Sequence, residues 1–313
     1  MSAITSVDWE AVQKDVLCPL CDYNLRGLTE PRCPECGYRF EWPDVLDPSR
    51  RIHSYVFEHH PDRNMWSFWK TLLGGLRPRR FWLSLHPAQP YSPRRLVLYW
   101  LIYSSFTLVA VLLAVSWMCV ETSRRNRVSR PIVLAQAQNG VPIYWHRESF
   151  LEQFDSIEQY VDLMYPVDPI PVIRHVLSWL GGALILISLL MISWPWLSVL
   201  AMSVFGISMR HARVRPIHIC RSALYSFDHS ILVGVSIILS VGGIVTRQLN
   251  LQHFFLILPI IYMIVLIVYI YRLCVAYTKY LQFHWPIPVV LTSQFLLCLA
   301  LFVVFMHFSM RSF

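Results

Sequence analysis

The chain has 313 residues, 55% of them hydrophobic and only 15% charged, with a formal net charge of +8. Soluble globular chains average about 25% charged residues, so the composition excludes an ordinary water-soluble domain and points to an integral membrane protein. The positive balance does not indicate nucleic acid, because the arginines cluster beside apolar runs, where they orient spans and bind anionic headgroups.

The first fifteen residues, MSAITSVDWEAVQKD, carry acids and have no apolar core segment, so no cleaved secretory signal is expected. Residues 1–17 are expected to form a short helix. The strongest motif follows: Cys18-x2-Cys21-x11-Cys33-x2-Cys36. Two CxxC hairpins can place four thiolates tetrahedrally around Zn2+, at about 2.3 Å per bond. About twenty-five residues cannot bury a sufficient core unaided, so metal binding and folding are coupled in such a module. Gly37 follows the second pair where a knuckle often needs positive φ, and Asp22 holds the equivalent place in the first. Disulfides and a redox CxxC pair are the alternative uses of these cysteines.

Four protein thiolates close the metal shell, which makes the zinc structural and leaves no open catalytic position. From Cys18 to Trp42 there are three bases (Arg26, Arg32, Arg39) against four acids (Asp22, Glu30, Glu35, Glu41). A zinc tetrathiolate adds further negative charge, the opposite of what phosphate binding needs, so nucleic acid is not expected as a partner. Protein contact is.

Residues 43–95 read as a linker, Pro-broken through EWPDVLDPSRR. Its second half, DRNMWSFWKTLLGGLRPRRFWLSLH, mixes Trp66, Phe68, Trp69, Leu72, Leu73, Phe81 and Trp82 with bases, as a segment lying in the membrane interface would. Gly74-Gly75 and Pro78 are expected to break it into two short pieces.

The transmembrane domain is expected over 96–313. Leu96–Val120 is a run of twenty-five uncharged residues, long enough to cross a hydrocarbon core of about 30 Å. An acidic amphipathic loop, 121–175, follows; it opens with four arginines and includes the helix-patterned SFLEQFDSIEQYVDLMY. Val176–Met209 is uncharged for thirty-four residues, which is one long crossing bent at Pro195 or two crossings with almost no turn between. Further spans are expected at 230–245, 254–271 and 286–308. With 176–209 as one crossing and the N-terminus inside, twelve Lys and Arg lie inside against eight outside. With two crossings the numbers reverse. Five spans with a cytoplasmic N-terminus is the consistent solution, and six is the alternative.

Other polar groups are harder to place. His59 and His60 in EHHPD are adjacent and point apart on any regular element, which argues against a metal pair. The stretch 210–230 reads as a basic cytoplasmic connection ending in Asp228-His229 at the mouth of a span. Asp228 then acts as a helix cap, with a proton or ion site as the alternative. Arg272 is expected to snorkel. Cys119, Cys220, Cys274 and Cys298 read as small buried hydrophobes. No HExxH, GxSxG, P-loop or GxGxxG occurs, and no carboxylate pair lies inside an apolar run.

CPxCxYNLRGLxxxRCPECG, residues 18–37, resembles the N-terminal zinc ribbon of a group of uncharacterised bacterial membrane proteins. The remainder is similar to the Yip family of Rab-interacting membrane proteins and their bacterial relatives. That likeness rests on Pro78-Arg79-Arg80-Phe81-Trp82, the long second helix, Arg221 to Ser226 (RSALYS), and Trp285 before the last span. The resemblance implies five spans, a cytoplasmic N-terminus and no enzymatic activity.

The resulting expectation is an all-α polytopic membrane helix bundle, preceded by a small β-type zinc ribbon over 18–42. The protein would be non-enzymatic, multi-pass in the cell (inner) membrane, in contact with membrane lipids, with Cys18, Cys21, Cys33 and Cys36 holding structural Zn2+. The ribbon would serve as a protein-docking module, with a role in membrane organisation. A small-solute transporter or channel with a path past Pro195 and Asp228 is the alternative; a lipid-modifying membrane enzyme is disfavoured by the missing acid–base groups.

Overall fold

The computed structural model describes residues 7, 9–10, 12, 14–139, 156–177, 182–204, 214–245, 251–283 and 286–311. Among the described residues the regular structure is helical. The chain runs through α1 (Trp42–Leu46), α2 (Asn64–Gly75), α3 (Pro78–Ser84), α4 (Pro93–Gln138), α5 (Ile157–Met164), α6 (Pro169–Val176), α7 (Gly182–Val204), α8 (Pro216–Phe227), α9 (Ile231–Val245), α10 (Leu251–Lys279) and α11 (Pro286–Arg311). Among the described residues five stretches are long and apolar enough to cross a membrane: Pro93–Gln136, Leu184–Met202, Pro216–Val241, Pro259–Lys279 and Pro286–Val303. Backbone groups in hydrocarbon must be satisfied within their own segment, so uncharged runs of this length fold as helices. The protein is a multi-pass membrane protein.

Several expectations are corrected. No helix covers the described part of 1–17, where Trp9 and Glu10 form a turn. The ribbon has no sheet, only the isolated antiparallel bridges Leu17–Asn24 and Arg32–Arg39. The supposed loop 121–175 is helical from its first residue to Gln138, as α4 runs for 46 residues. Glu121 gives this extension local support, pairing with Arg124 at 2.9 Å and Arg125 at 2.7 Å, one turn along the same face. The N-terminal part of SFLEQFDSIEQYVDLMY and Trp285 lie outside the described residues. The later part forms α5, capped by Ser156, whose hydroxyl accepts the Gln159 N–H at 3.1 Å. Within 176–209 one span is described, with Pro195 inside α7.

The largest correction concerns the third span. It begins at Pro216 rather than 230, because α8 continues through a 3-10 turn, Asp228–Ser230, into α9. The stretch read as a cytoplasmic connection is therefore a helix, with buried side chains at 218, 219 and from 221 to 230.

The chain divides into two compact units. The first comprises Met1–Ser105, Ile192–Val233 and Pro259–Phe313; the second comprises Phe106–Met191 and Gly234–Leu258. In the second, α4 is held to the segment between α5 and α6: Ser123 Oγ donates to Val167 O at 3.0 Å, Asn126 Nδ2 donates to Pro166 O at 2.7 Å, and Arg130 pairs with Asp162. Gly234 lets α9 approach α4 closely, since a Cβ there would sit 3.2 Å from Phe106 O and Thr107 Cα.

In the first unit the linker is a folded strap. A 3-10 turn at Pro48–Arg51 follows α1, with Asp47 accepting the Ser49 N–H at 2.8 Å. The histidines then act as staples. His59 Nδ1 accepts the His53 N–H at 2.8 Å while Nε2 donates to Pro90 O at 2.7 Å. His53 Nδ1 accepts from the Tyr55 and Val56 N–H groups, and its Nε2 lies 3.1 Å from Ser84 Oγ. Both rings must be neutral to accept at Nδ1. Burial, with neighbouring bases, pushes each down to about 4 from the ordinary 6.5.

The folded state thus binds these two protons less readily than the unfolded chain, so the stabilisation is complete above pH 6.5 and is lost as pH falls towards 4. Amide exchange of residues 53–60 is expected to accelerate across that window, and His53→Gln should flatten the profile. Protection that stays constant down to pH 4 would contradict the staple.

Candidate functional site

The four cysteines come together as two matching knuckles. In the first, Cys18 N–H donates to Tyr23 O at 2.7 Å and Asp22 N–H to Cys18 O at 3.0 Å. In the second, Cys33 N–H donates to Tyr38 O and Gly37 N–H to Cys33 O, both at 2.9 Å. The corner residues have φ of +64° at Asp22 and +74° at Gly37. A CxxC turn needs this left-handed step to aim both sulfurs and the intervening N–H groups inward, which glycine makes without strain and aspartate tolerates.

The sulfurs lie within 4.8 Å of one another, with Cys18 Sγ 3.7 Å from Cys36 Sγ and Cys21 Sγ 3.5 Å from Cys33 Sγ. A tetrahedron with bonds of about 2.3 Å has edges of about 3.8 Å, so the set is compatible with a metal such as zinc. The separations exclude a disulfide, and all eight cysteines are free. The thiols divide their protons unevenly. Hydrogen bonding from Cys36 draws Cys18 down to about 5, while burial pushes Cys21 up to about 12 and donation to Cys18 raises Cys36. One thiolate stabilised by its neighbours' protons is a site where a divalent cation can replace those protons.

The motif between the knuckles is equally determined. Asn24 Oδ1 accepts the Arg26 N–H at 3.0 Å, Gly27 turns at φ +83°, and Leu25 is buried. Trp9 Nε1 donates to Leu28 O at 3.1 Å, and the Trp9 ring meets Trp42 edge-on at 5.1 Å.

The ribbon is fastened to the helices. Arg215 N–H donates to Leu20 O at 2.9 Å, and its side chain pairs with Asp22, Nε to Oδ2 at 2.6 Å. His218 Nε2 donates to Pro19 O at 2.9 Å. On the other knuckle Gln282, in the turn after α10, accepts Arg39 N–H and donates to Arg39 O, both at 3.0 Å.

His218 continues inward. Its Nδ1 accepts from Tyr280 Oη at 2.7 Å, and Arg221 Nη1 donates to the same hydroxyl at 3.2 Å. Arg221 is fully buried; its Nε lies 2.6 Å from Glu58 Oε2, and Nη2 donates to Pro90 O at 3.0 Å. A second buried pair joins α8 to α10. Arg272 Nη1 donates to Asp228 Oδ1 at 2.6 Å, Nη2 donates to Tyr225 O at 2.6 Å, and Tyr99 Oη donates to Asp228 Oδ2 at 2.8 Å. Gly75 of α2 lies directly on this pair. A Cβ there would overlap Arg272 Nη2 and stand 3.2 Å from Asp228 Oδ2.

Asp228 is therefore neither a cap nor a solvated anchor, and Arg272 does not snorkel. Glu58 serves Arg221, while His59 and His60 bond to backbone carbonyls. Cys119, Cys220 and Cys274 are half-buried and Cys298 is exposed, so none is a core residue. Sequence reading missed both ion pairs. Their signal was that Arg221, Asp228 and Arg272 are lone charges among largely apolar and aromatic neighbours, where a charge must find a partner; Glu58, followed by His59, His60 and Asp62, carries no such signal. No family model, curated protein or solved structure matches the chain.

Removing one member of a buried pair leaves the other charge stranded, at a cost of about 3–5 kcal/mol, whereas replacing both with apolar groups costs far less. Asp228→Asn should lower the thermal midpoint of the detergent-purified protein strongly, and Asp228→Leu with Arg272→Met should recover much of the loss. Equal midpoints for the single and double variants would show that the charges are not coupled.

Proposed function

We propose that the protein is a non-enzymatic multi-pass protein of the inner membrane, with a structural zinc ribbon that serves as a docking module for a protein partner. Zinc is supported by the sulfur spacing and the all-thiolate donor set. A shell closed by four protein ligands leaves no position for water or substrate, so the metal's role is to fold the ribbon. The observation that carries docking is the fastening of both knuckles, through Arg215 and His218 on one side and Gln282 on the other. A module held this way keeps one face turned outward. Tyr23, Arg26, Glu30 and Arg32 are exposed on it.

A cytoplasmic ribbon is supported by the distribution of bases. Arg221 and Arg272 are neutralised within the bundle and no longer act as anchors, yet ten Lys and Arg remain on the ribbon side of the spans against eight opposite. Thiolates also persist in that reducing compartment.

Purified protein should carry about one zinc per chain. Cys33→Ser should lose the metal and expose residues 18–42 to protease while the five helices still insert. A photo-crosslinking residue at Tyr23 should give a discrete protein adduct in intact cells, and the same residue at lipid-facing Leu101 should not. Absence of metal from the wild type would remove the zinc reading, and absence of adducts at both Tyr23 and Arg26 would remove docking.

A further inference from the structure

Helix α2 has two apolar faces. The inner one, Ser67, Phe68, Thr71, Leu72 and Gly75, is buried. The outer one presents Met65 (69% exposed), Trp66 and Trp69 (42% each), Leu73 (57%) and, just past the helix, Leu76 (60%). These positions recur every three or four residues, which places them along one side.

The depth of this face is fixed by what α2 touches. At its N-terminal end, Asn64 Oδ1 accepts from Arg95 Nη2 at 2.8 Å, and Arg95 is the residue immediately before the uncharged run Leu96–Val120. At its C-terminal end Gly75 rests on Arg272, the residue immediately after the uncharged run that closes at Tyr271. Midway, Phe68 packs on Tyr99 in the first turns of α4, ring centres 5.3 Å apart. Both ends of the helix thus meet a charged residue that adjoins an uncharged run, Arg95 at the start of α4 and Arg272 within the last turns of α10. The helix is about 18 Å long and so reaches between these two residues beside the ends of both spans.

The charge beside this face has one sign. From Arg63 to Arg95 there is no acid, while Lys70, Arg77, Arg79 and Arg80 are exposed and form no ion pair among the described residues. Tryptophans at headgroup depth and bases beside them are the two components of interfacial attachment to an anionic leaflet.

We propose that α2 and α3 form a foot that lies in the headgroup layer of the ribbon-side leaflet and selects anionic phospholipid. Trp66, Trp69 and Leu73 enter the acyl boundary, and Lys70, Arg77, Arg79 and Arg80 meet lipid phosphates. The inner face is already packed, so the foot is preorganised and does not fold on contact.

The test uses the full-length protein in neutral detergent, titrated with phosphatidylglycerol, phosphatidylcholine or inorganic phosphate, with the thermal midpoint as readout. Phosphatidylglycerol should raise the midpoint by several degrees more than phosphatidylcholine. Lys70→Gln, Arg79→Gln and Arg80→Gln together should abolish that excess while leaving the lipid-free midpoint unchanged, because all three side chains are solvent-exposed. Equal responses to the two lipids, or an excess that survives the triple substitution, would overturn the proposal. So would a phosphate response equal to that of phosphatidylglycerol, which would assign the bases to a free anion. Independently of variant stability, a photo-crosslinker at Trp69 in phosphatidylcholine–phosphatidylglycerol nanodiscs should yield lipid adducts; adducts to protein alone, or none, would place the face elsewhere.

Discussion

Asp228 and Arg272 lie 44 residues apart in sequence, and neither charge is tolerable alone in a dry interior. Their pairing forces α8 and α10 together at one level. Tyr99 then brings in α4, because its hydroxyl satisfies the remaining carboxylate oxygen. Gly75 brings in α2, because only a residue without a side chain can rest on the guanidinium. Four segments converge on one ion pair, and the rest of the first unit is arranged around them.

The second pair, Glu58–Arg221, extends the same logic outward. It draws the linker onto α8, and Arg221 shares the Tyr280 hydroxyl with His218, which holds the backbone of the first cysteine knuckle. A hydrogen-bonded chain therefore runs from the ribbon to the centre of the helical unit. Each member is a neutral or paired group, so the chain stabilises position without leaving a free charge. The ribbon, a module that could have swung on a flexible tether, is instead part of the membrane domain's end face.

The four-cysteine cluster was legible because its determinants are local. Cysteine spacing, the positive-φ corners at Asp22 and Gly37, and the tight turn at Gly27 all act within a few residues. The spans were legible for a related reason: in hydrocarbon an uncharged run of about twenty residues can satisfy its backbone groups within itself only as a helix. Boundaries were not, because a charged residue ends a run on paper and need not end a helix. Glu121 lies inside α4, paired with Arg124 and Arg125, and Arg221 and Asp228 lie inside the span Pro216–Val241.

By itself, then, the sequence determined a membrane protein with a four-cysteine knuckle pair and five or six apolar crossings, since these follow from local spacing and from the solvent. Only the tertiary structure decided that 216–230 is buried helix rather than surface connection, that Asp228 and Arg272 neutralise each other, and that the ribbon is fastened to the helices. The physical reason is the same each time. The fate of a polar group is set by its partner, and here the partners lie between 36 and 243 residues away, as with His229 on Val265 O and Gln282 on Arg39.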